Sequence, residues 1–356
     1  MQLMSWVHND FQLNGRSFSN AEEFILYAEN ISKSLSTFCK DWFSKDDFIF
    51  VKTSGSTGKP KDIRLKKEHM RNSALATGEF FNIQEKTRAL CCLPIEYIAG
   101  KMMVVRAMVL GWHMDIIEPS STPLENIEKT YDFSAMVPLQ LRNSLSKIDT
   151  IKQLIVGGGV VSVELEEMIK GLPTKIYATY GMTETITHIA VKSLNLSSRG
   201  SMTKRSHYQT LSNISISTGD RNCLIINAPK VSDETIVTND VVELISDTEF
   251  IWKGRYDNVI NSGGIKLHPE EIERKLSPYI VQRFFVAGIP DEQLGEKLVL
   301  VIEGRRDSVI LNSFQNLKEV LSKYETPKEV FFIDRFVETD TQKIQRSKTL
   351  EKVLAN

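Results

Sequence analysis

Apolar positions along this chain fall into two successive rhythms, and the change between them divides it. Phe48-Ile49-Phe50-Val51 is a short continuous apolar run that reads as a buried strand. Ala89–Leu93, His113–Ile117, Phe133–Val137, Lys152–Val156 and Lys175–Thr179 repeat the pattern. Helical patterns at Lys101–Leu110 and from Ser162 to Gly171 lie between them. Thr122-Pro123-Leu124-Glu125 adds a predicted helix start: a capping hydroxyl, proline at the first helical position and glutamate three residues after the cap. Strands alternating with helices predict an α/β domain of sheets flanked by helices, mostly parallel in pairing. Ser193–Ser201 is Ser-rich and polar and reads as a loop. Beyond residue 255 the predicted order becomes helix, strand, strand, helix, strand, helix. These are Pro269–Leu276, Phe284–Ala287, Leu298–Ile302, Leu311–Ser322, Val330–Ile333 and Arg346–Val353. That is a small α+β unit. The predicted domains are therefore 1–255 and 256–356, with Gly254 and the polar pair Asp257-Asn258 suited to a hinge.

Composition narrows the function classes. A chain of 356 residues can bury a large core in two domains. Lys plus Arg number 44 against 45 for Asp plus Glu, so no global field or basic stripe points to nucleic acid or to a membrane surface. The longest apolar stretch, Met102 to Leu110, is interrupted by Arg106 and is too short to span a bilayer. Met1-Gln2-Leu3-Met4-Ser5 lacks a basic-then-apolar signal pattern. Cys39, Cys91, Cys92 and Cys223 show neither metal-ligand nor CxxC spacing, so buried free thiols in a reducing cytoplasm are expected.

The densest chemistry follows the first strand. Thr53-Ser54-Gly55-Ser56-Thr57-Gly58-Lys59-Pro60-Lys61 packs hydroxyls, glycines and lysines into nine positions. Glycines let backbone N–H groups turn towards one point, and hydroxyls and ammonium groups add donors for an anion, so the loop suits a polyphosphate. It is not a Walker A loop, which needs glycine where Thr53 stands and a hydroxyl residue where Pro60 stands. The other reading is a flexible Ser/Gly surface loop.

Four more segments join it. Ala178-Thr179-Tyr180-Gly181-Met182-Thr183-Glu184-Thr185 places a ring, a hydroxyl and a carboxylate just past a strand end, where open α/β sheets bind ligands. Thr238-Asn239-Asp240 sets a carboxylate after a β-rich run. Gly254 to Lys266 joins the two predicted domains, and Thr339 to Arg346 carries Lys343 in a polar stretch. Taken singly, Tyr180 reads as core, Asp240 as a turn residue, and Arg255 and Lys343 as solvated charges. Taken in order along one chain, the five motifs resemble the adenylate-forming superfamily of acyl-CoA synthetases, peptide-synthetase adenylation domains and luciferases. The resemblance runs from residue 48 to the C-terminus.

Within that superfamily Leu93–Gly100, Met136–Leu141 and Ile260–Lys266 are most similar to the o-succinylbenzoate–CoA ligase group of menaquinone biosynthesis. Three positions depart from the pattern: Tyr97 replaces a histidine, Asn239 a glycine and Gln342 a glycine. The region before residue 53 is also shorter than in typical relatives, which bears on oligomerisation and on the outer wall of the acyl site.

The resemblance implies ATP-dependent ligation of a carboxylic acid to coenzyme A through an acyl-adenylate, with Mg²⁺, and no nucleic-acid or membrane partner. The acid is o-succinylbenzoate or another aryl or acyl acid; a non-catalytic adenylate-binding protein of the same fold is the alternative of another class. It implies that Thr53, Ser54, Gly55, Ser56, Thr57, Gly58 and Lys59 hold phosphates. Gly157, Gly158, Gly159 and Tyr180 would meet the adenine, Asp240 and Arg255 the ribose, and Thr183 the α-phosphate. Glu184 would bind Mg²⁺ and Lys343 would carry the adenylation step. A mobile C-terminal domain would turn about Asp257, bringing Ser262, Gly263 and Gly264 to the pantetheine arm. For the acid itself the candidates are Tyr97, Lys101, Arg106 and His188, with Arg106 or Lys101 preferred as the group that reads a second carboxylate. A homo-oligomer is left open.

Overall fold

The structure, a computed structural model, describes residues 6–52, 62–195, 207–306, 320–339 and 344–355. The phosphate-loop positions 53–61, the Lys343 position and most of the predicted helix Leu311–Ser322 lie outside the described residues, as does the greater part of Ser193–Ser201.

Period-two burial explains the large sheet. Ala89, Cys91, Phe133 and Ile155 face one core, together with Met70, Ala74, Phe81 and Met102 from two helices, Lys67–Phe81 and Ile98–Leu110. Leu90, Cys92, Leu154 and Val156, their strand neighbours, face a second core with Leu141, Ile148, Leu165 and Ile169. Strands buried on both faces read as continuous apolar runs, which is why they were legible. Gln12–Leu13, His113–Ile116, Arg88–Cys91, Tyr131–Met136, Ile151–Val156 and Lys175–Gly181 pair in that order, all parallel. The sheet then continues antiparallel through His188–Ser193, Tyr208–Thr210, Glu249–Arg255, Ile236–Leu244, Cys223–Asn227 and Ser215–Thr218.

The expectation of mostly parallel pairing therefore holds for one half only. The links from Gly181 to His188, Thr218 to Cys223, Asn227 to Ile236 and Leu244 to Glu249 are too short for a crossover helix, and short links join antiparallel strands. The helix predicted from Thr122 does not form. Thr122 Oγ1 does reach Glu125 Oε2 at 3.1 Å, and Glu125 N and Ile127 N close single turns onto Thr122 O and Leu124 O. The chain must enter the strand at Tyr131 soon afterwards, and only the adjacent Pro123 and Leu124 are buried there, so no apolar stripe supports further turns. The helix predicted from Ser162 is shorter than its pattern, Val163–Met168, capped by Ser162 Oγ accepting from Leu165 N.

After Arg255 the large sheet ends. A 3₁₀ turn, Tyr256–Asn258, leads into a second sheet built from Ile260–Ser262, Ile265–Leu267, Phe284–Asp291, Gly295–Glu303 and Glu329–Ile333. Only the last of these pairs parallel, with Gly295–Glu303. Helices Pro269–Leu276 and Arg346–Leu354 cover it. All four cysteines are buried free thiols; burial pushes Cys39 and Cys92 up to about 12. No helix among the described residues is long and apolar enough to cross a membrane.

Candidate functional site

The strand Lys175–Gly181 carries Tyr180 to the edge of the parallel half, beside the first antiparallel strands. Its ring packs edge-on against Phe250, 5.2 Å between centroids, and its hydroxyl donates to Asp240 Oδ2 at 2.7 Å. Burial, and then the Asp240 carboxylate beside it, push the Tyr180 phenol well above its ordinary range, so it stays a donor. Trp252 Nε1 donates to the other oxygen, Asp240 Oδ1, at 3.1 Å, and Thr238 Oγ1 accepts from Asp240 N. Asp240 stands opposite Arg255 in the strand register, next to a bulge at Val241/Val242, with Arg255 Nε 3.8 Å from Oδ1. A bulge re-aims side chains at a sheet edge. Arg255 Nη2 also meets Asp257 Oδ2 at 3.4 Å, and Asn239 Nδ2 lies 3.4 Å from both Asp257 oxygens. Asn239 thus links the strand to the turn at Asp257, a contact that glycine at this position would lack.

Asp240→Ala should leave the Tyr180 hydroxyl and the Trp252 N–H without their acceptor in a half-buried setting. The expected cost is about 1–3 kcal/mol of stability, read by urea denaturation. An unchanged midpoint and slope would show that water replaces the carboxylate.

Gly157 follows the strand Ile151–Val156, and a Cβ there would collide with Thr179 Oγ1, so only glycine allows this approach to the neighbouring strand. Gly158 has φ +76° and Gly159 is exposed. Thr183 and Glu184 sit in a 3₁₀ turn, Thr183–Thr185, with the Glu184 side chain towards solvent. The next residue, Ile186, is a buried β-branched side chain at φ +66°, with Thr187 N donating to Thr185 O across it at 2.7 Å. This strained turn separates Thr183 and Glu184 from Thr187 and His188.

Behind it lies a buried cation. Arg106, on the apolar helix Ile98–Leu110, is 1% exposed. Its Nε donates to Thr77 Oγ1 at 3.2 Å and its Nη2 to Thr187 Oγ1 at 3.3 Å, with His188 Nδ1 at 3.4 Å. Among the described residues no carboxylate pairs with it. Burial pulls the guanidinium down to about 10, still charged at neutral pH. Burial, then Arg106 itself, holds His188 well below the ordinary histidine range, so the imidazole is neutral and Nδ1 can accept from Arg106. Lys101 goes elsewhere: Nζ donates to Ile95 O and Glu96 O, both at 2.7 Å, closing the loop before its own helix. Tyr97, at the start of that helix, is 39% exposed.

The described geometry thus gathers Tyr180, Asp240, Arg255 and Asp257 into one connected group and Arg106 with His188 into another. Gly263 faces Leu294 of its own sheet, and Gly264 has open space around it, so the hairpin tip at Ser262–Gly264 packs on none of these. Thr77, Thr187 and Trp252 were not foreseen. A lone threonine on a helix gives no sequence signal, and Trp252 differs from a core tryptophan only through its partner. Groups of three or more His, Cys, Asp or Glu arranged to hold a metal are absent among the described residues. A single exposed carboxylate at Glu184 still fits Mg²⁺, which keeps waters and binds through one or two carboxylates plus substrate phosphates.

Comparison with known proteins adds to this geometry. A 2-succinylbenzoate–CoA ligase of Geobacillus is 24% identical over 89% of this chain and 71% of that protein. The crystal structure of an acyl-CoA synthetase (AMP-forming)/AMP-acid ligase II-like protein from Dyadobacter fermentans is 36% identical. The match covers 90% of this chain and 93% of that one at a TM-score of 0.59. The o-succinylbenzoate coenzyme A synthetase of Bacillus subtilis, solved with ATP and magnesium ion, shares the fold at 19% identity and a TM-score of 0.72, over 93% of this chain and 82% of that one. The family described as AMP-binding enzyme matches residues 11–215, which take in the parallel half of the sheet, Arg106 and the Tyr180–Glu184 segment, and it is to this family of AMP-binding enzymes that the chain belongs.

Proposed function

We propose that the protein ligates o-succinylbenzoate to coenzyme A through an acyl-adenylate, releasing pyrophosphate and then AMP. One observation carries the choice of acid: Arg106 is a buried, charged guanidinium with no carboxylate partner among the described residues. A buried charge without a partner is costly, and a guanidinium answers a carboxylate with two parallel hydrogen bonds. A dicarboxylate supplies both needs, one carboxyl for activation and one for Arg106. The names of the Geobacillus and Bacillus subtilis relatives support the same acid.

A carboxylate does not react with a thiol while its leaving group is oxide. In the first half-reaction an oxygen of the acid attacks the α-phosphorus of ATP, and the bond to pyrophosphate breaks. In the second, the coenzyme A thiolate attacks the acyl carbon and AMP leaves with the oxygen. Both steps need charge stabilisation more than covalent help. Residues 53–59 hold the β- and γ-phosphates, Thr183 meets the α-phosphate, and Tyr180 with Gly157–Gly159 packs on the adenine. Asp240, already aimed by Tyr180 and Trp252, accepts from the ribose hydroxyls, with Arg255 beside it. Glu184 would hold Mg²⁺, which neutralises phosphate charge when bound. Lys343 bridges the attacking carboxylate and the phosphate.

The domains are 1–255 and 256–356. The second turns about Asp257 between the half-reactions and brings Ser262, Gly263 and Gly264 to the pantetheine arm. Four buried free thiols suit a reducing cytoplasm, where the enzyme would act.

ATP–pyrophosphate exchange with a panel of carboxylic acids tests the reading. Exchange should depend on o-succinylbenzoate and fall sharply for analogues lacking the second carboxylate. Equal exchange with a monocarboxylic acid would refute the assignment of Arg106. Asp257→Pro tests the hinge: proline fixes φ near −65°, so adenylation should continue and thioester formation should fail. Overall ligation at the wild-type rate would place the pivot elsewhere.

A further inference from the structure

Three residues beyond Lys343, Arg346 opens the last helix, Arg346–Leu354. Its guanidinium makes a two-pronged pair with Glu273: Nη1 to Oε1 at 2.7 Å and Nη2 to Oε2 at 2.8 Å. Glu273 lies on Pro269–Leu276 and also accepts from Val286 N at 2.9 Å, so three elements meet there. The two residues before Arg346 are held as well. Gln345 N donates to Val337 O at 2.8 Å, Gln345 Nε2 donates to Glu338 O at 3.1 Å, and Ile344 bridges to Glu338. The chain on both sides of residues 340–343 is therefore clamped to the same frame.

A second carboxylate extends this frame to the hinge. Glu270, one helical turn before Glu273, has Oε1 3.8 Å from Arg346 Nη2 and accepts there from Asn258 Nδ2 at 2.6 Å. Its Oε2 is buried with no hydrogen-bond partner among the described residues. Oε2 occupies the space that a Cβ on Gly254 would need, and Gly254, at φ +147°, belongs to the last strand of the large sheet. The cluster thus runs from the large sheet, through the turn at Asn258, to the residues that follow Lys343.

We propose that Glu273 and Glu270 are positioning residues for the adenylation step, acting through Arg346 to fix the segment that bears Lys343 and to couple it to the hinge. The proposal rests on the role given to Lys343 above. A two-pronged guanidinium–carboxylate pair fixes direction as well as distance. The orphaned Glu270 oxygen is an unfavourable contact held against Gly254 of the large sheet, so a turn at the hinge would expose it to new partners.

Burial pushes the Glu273 carboxyl up from 4.5 to about 7, against the pull of Arg346 and the Val286 N–H, with Glu270 adding to the rise. Those three are the groups that face it, from the last helix, the strand and its own helix. A carboxyl raised in the folded state favours folding most below its unfolded pKa. That contribution is lost as pH climbs from about 4.5 to about 7, while the charged pair with Arg346 forms over the same interval. Adenylation should therefore rise through about pH 7.

The test uses the full chain with Glu273→Gln, Arg346→Lys and Lys343→Ala. Each is assayed for acid-dependent exchange and for thioester formation from supplied acyl-adenylate, alongside amide hydrogen exchange. Glu273→Gln should lower adenylation about tenfold or more and leave the thioester step within about twofold, because small misplacements near the reacting atoms are costly. It should also flatten the rise through neutral pH, speed hydrogen exchange at Gln345 while sparing Leu298–Ile302 in the neighbouring strand, and add nothing to the loss in Lys343→Ala. Arg346→Lys, with one charge but no fork, should fall between. Equal loss of both half-reactions, additive loss with Lys343→Ala, or unchanged exchange at Gln345 would each overturn the proposal. Absence of acid-dependent exchange in the wild type would instead defeat the ligase reading, and the Gln345 amide would then decide the anchor alone.

Discussion

Arg106→Met is expected to stabilise the fold while destroying recognition of the dicarboxylate. Arg106 sits in the middle of a helix whose neighbours Met102, Met103, Val105, Ala107 and Met108 are all buried, and its charge has hydroxyls and a neutral imidazole for company. A methionine fills similar volume without a charge to desolvate. Replacing buried ionic groups by apolar ones of like size is often stabilising, here by on the order of 1–4 kcal/mol. Thr77 keeps its bond to Ser73 O at 2.9 Å, so one of the abandoned hydroxyls stays satisfied. Removing one partner of a buried charge pair in the bound state costs about 2–5 kcal/mol, so kcat/KM for o-succinylbenzoate should drop by roughly that amount with KM for ATP nearly unchanged. Denaturant midpoints and steady-state kinetics read the two halves separately. A less stable variant with an unaltered kcat/KM for the acid would mean that Arg106 serves the core and not the substrate.

Lys343→Ala should abolish adenylation and largely spare thioester formation from supplied acyl-adenylate. In the proposed mechanism its ammonium meets charge that develops only as the acid attacks the α-phosphorus. Losing a contact made in the transition state costs on the order of 3 kcal/mol or more in the first step. In that mechanism the second step, with the C-terminal domain turned away, does not use it. Equal loss in both half-reactions would falsify this role and make Lys343 a general binding contact.

The parallel strands from Arg88 to Gly181 are legible in the sequence alone. Strands such as Ile151–Val156 are buried on both faces, so their apolar runs are continuous and stand out. The helix Ile98–Leu110 was legible for the same reason, and so was the change of order after Arg255, where one sheet ends and another begins. The placement of the motifs was legible where it is local: Tyr180 lies at the end of one strand with Thr183 and Glu184 in the turn beyond it, and Gly157–Gly159 follow another strand.

What depends on partners far apart in the chain is visible only in the folded molecule. Thr122–Glu125 carries every local signal of a helix start and makes only turns, because the next strand begins too soon for an apolar stripe to form. Lys101 and Arg106 look alike on one helix. Only packing reveals that Lys101 binds the backbone carbonyls of its own loop, whereas Arg106 is sealed against Thr77 and His188. The Glu273–Arg346 pair joins residues in separate helices of the second unit and leaves no mark on the spacing of either. Helix and strand periods follow from local backbone geometry, which a short window of sequence carries. The burial of a charge depends on which distant surfaces close over it, and no short window carries that.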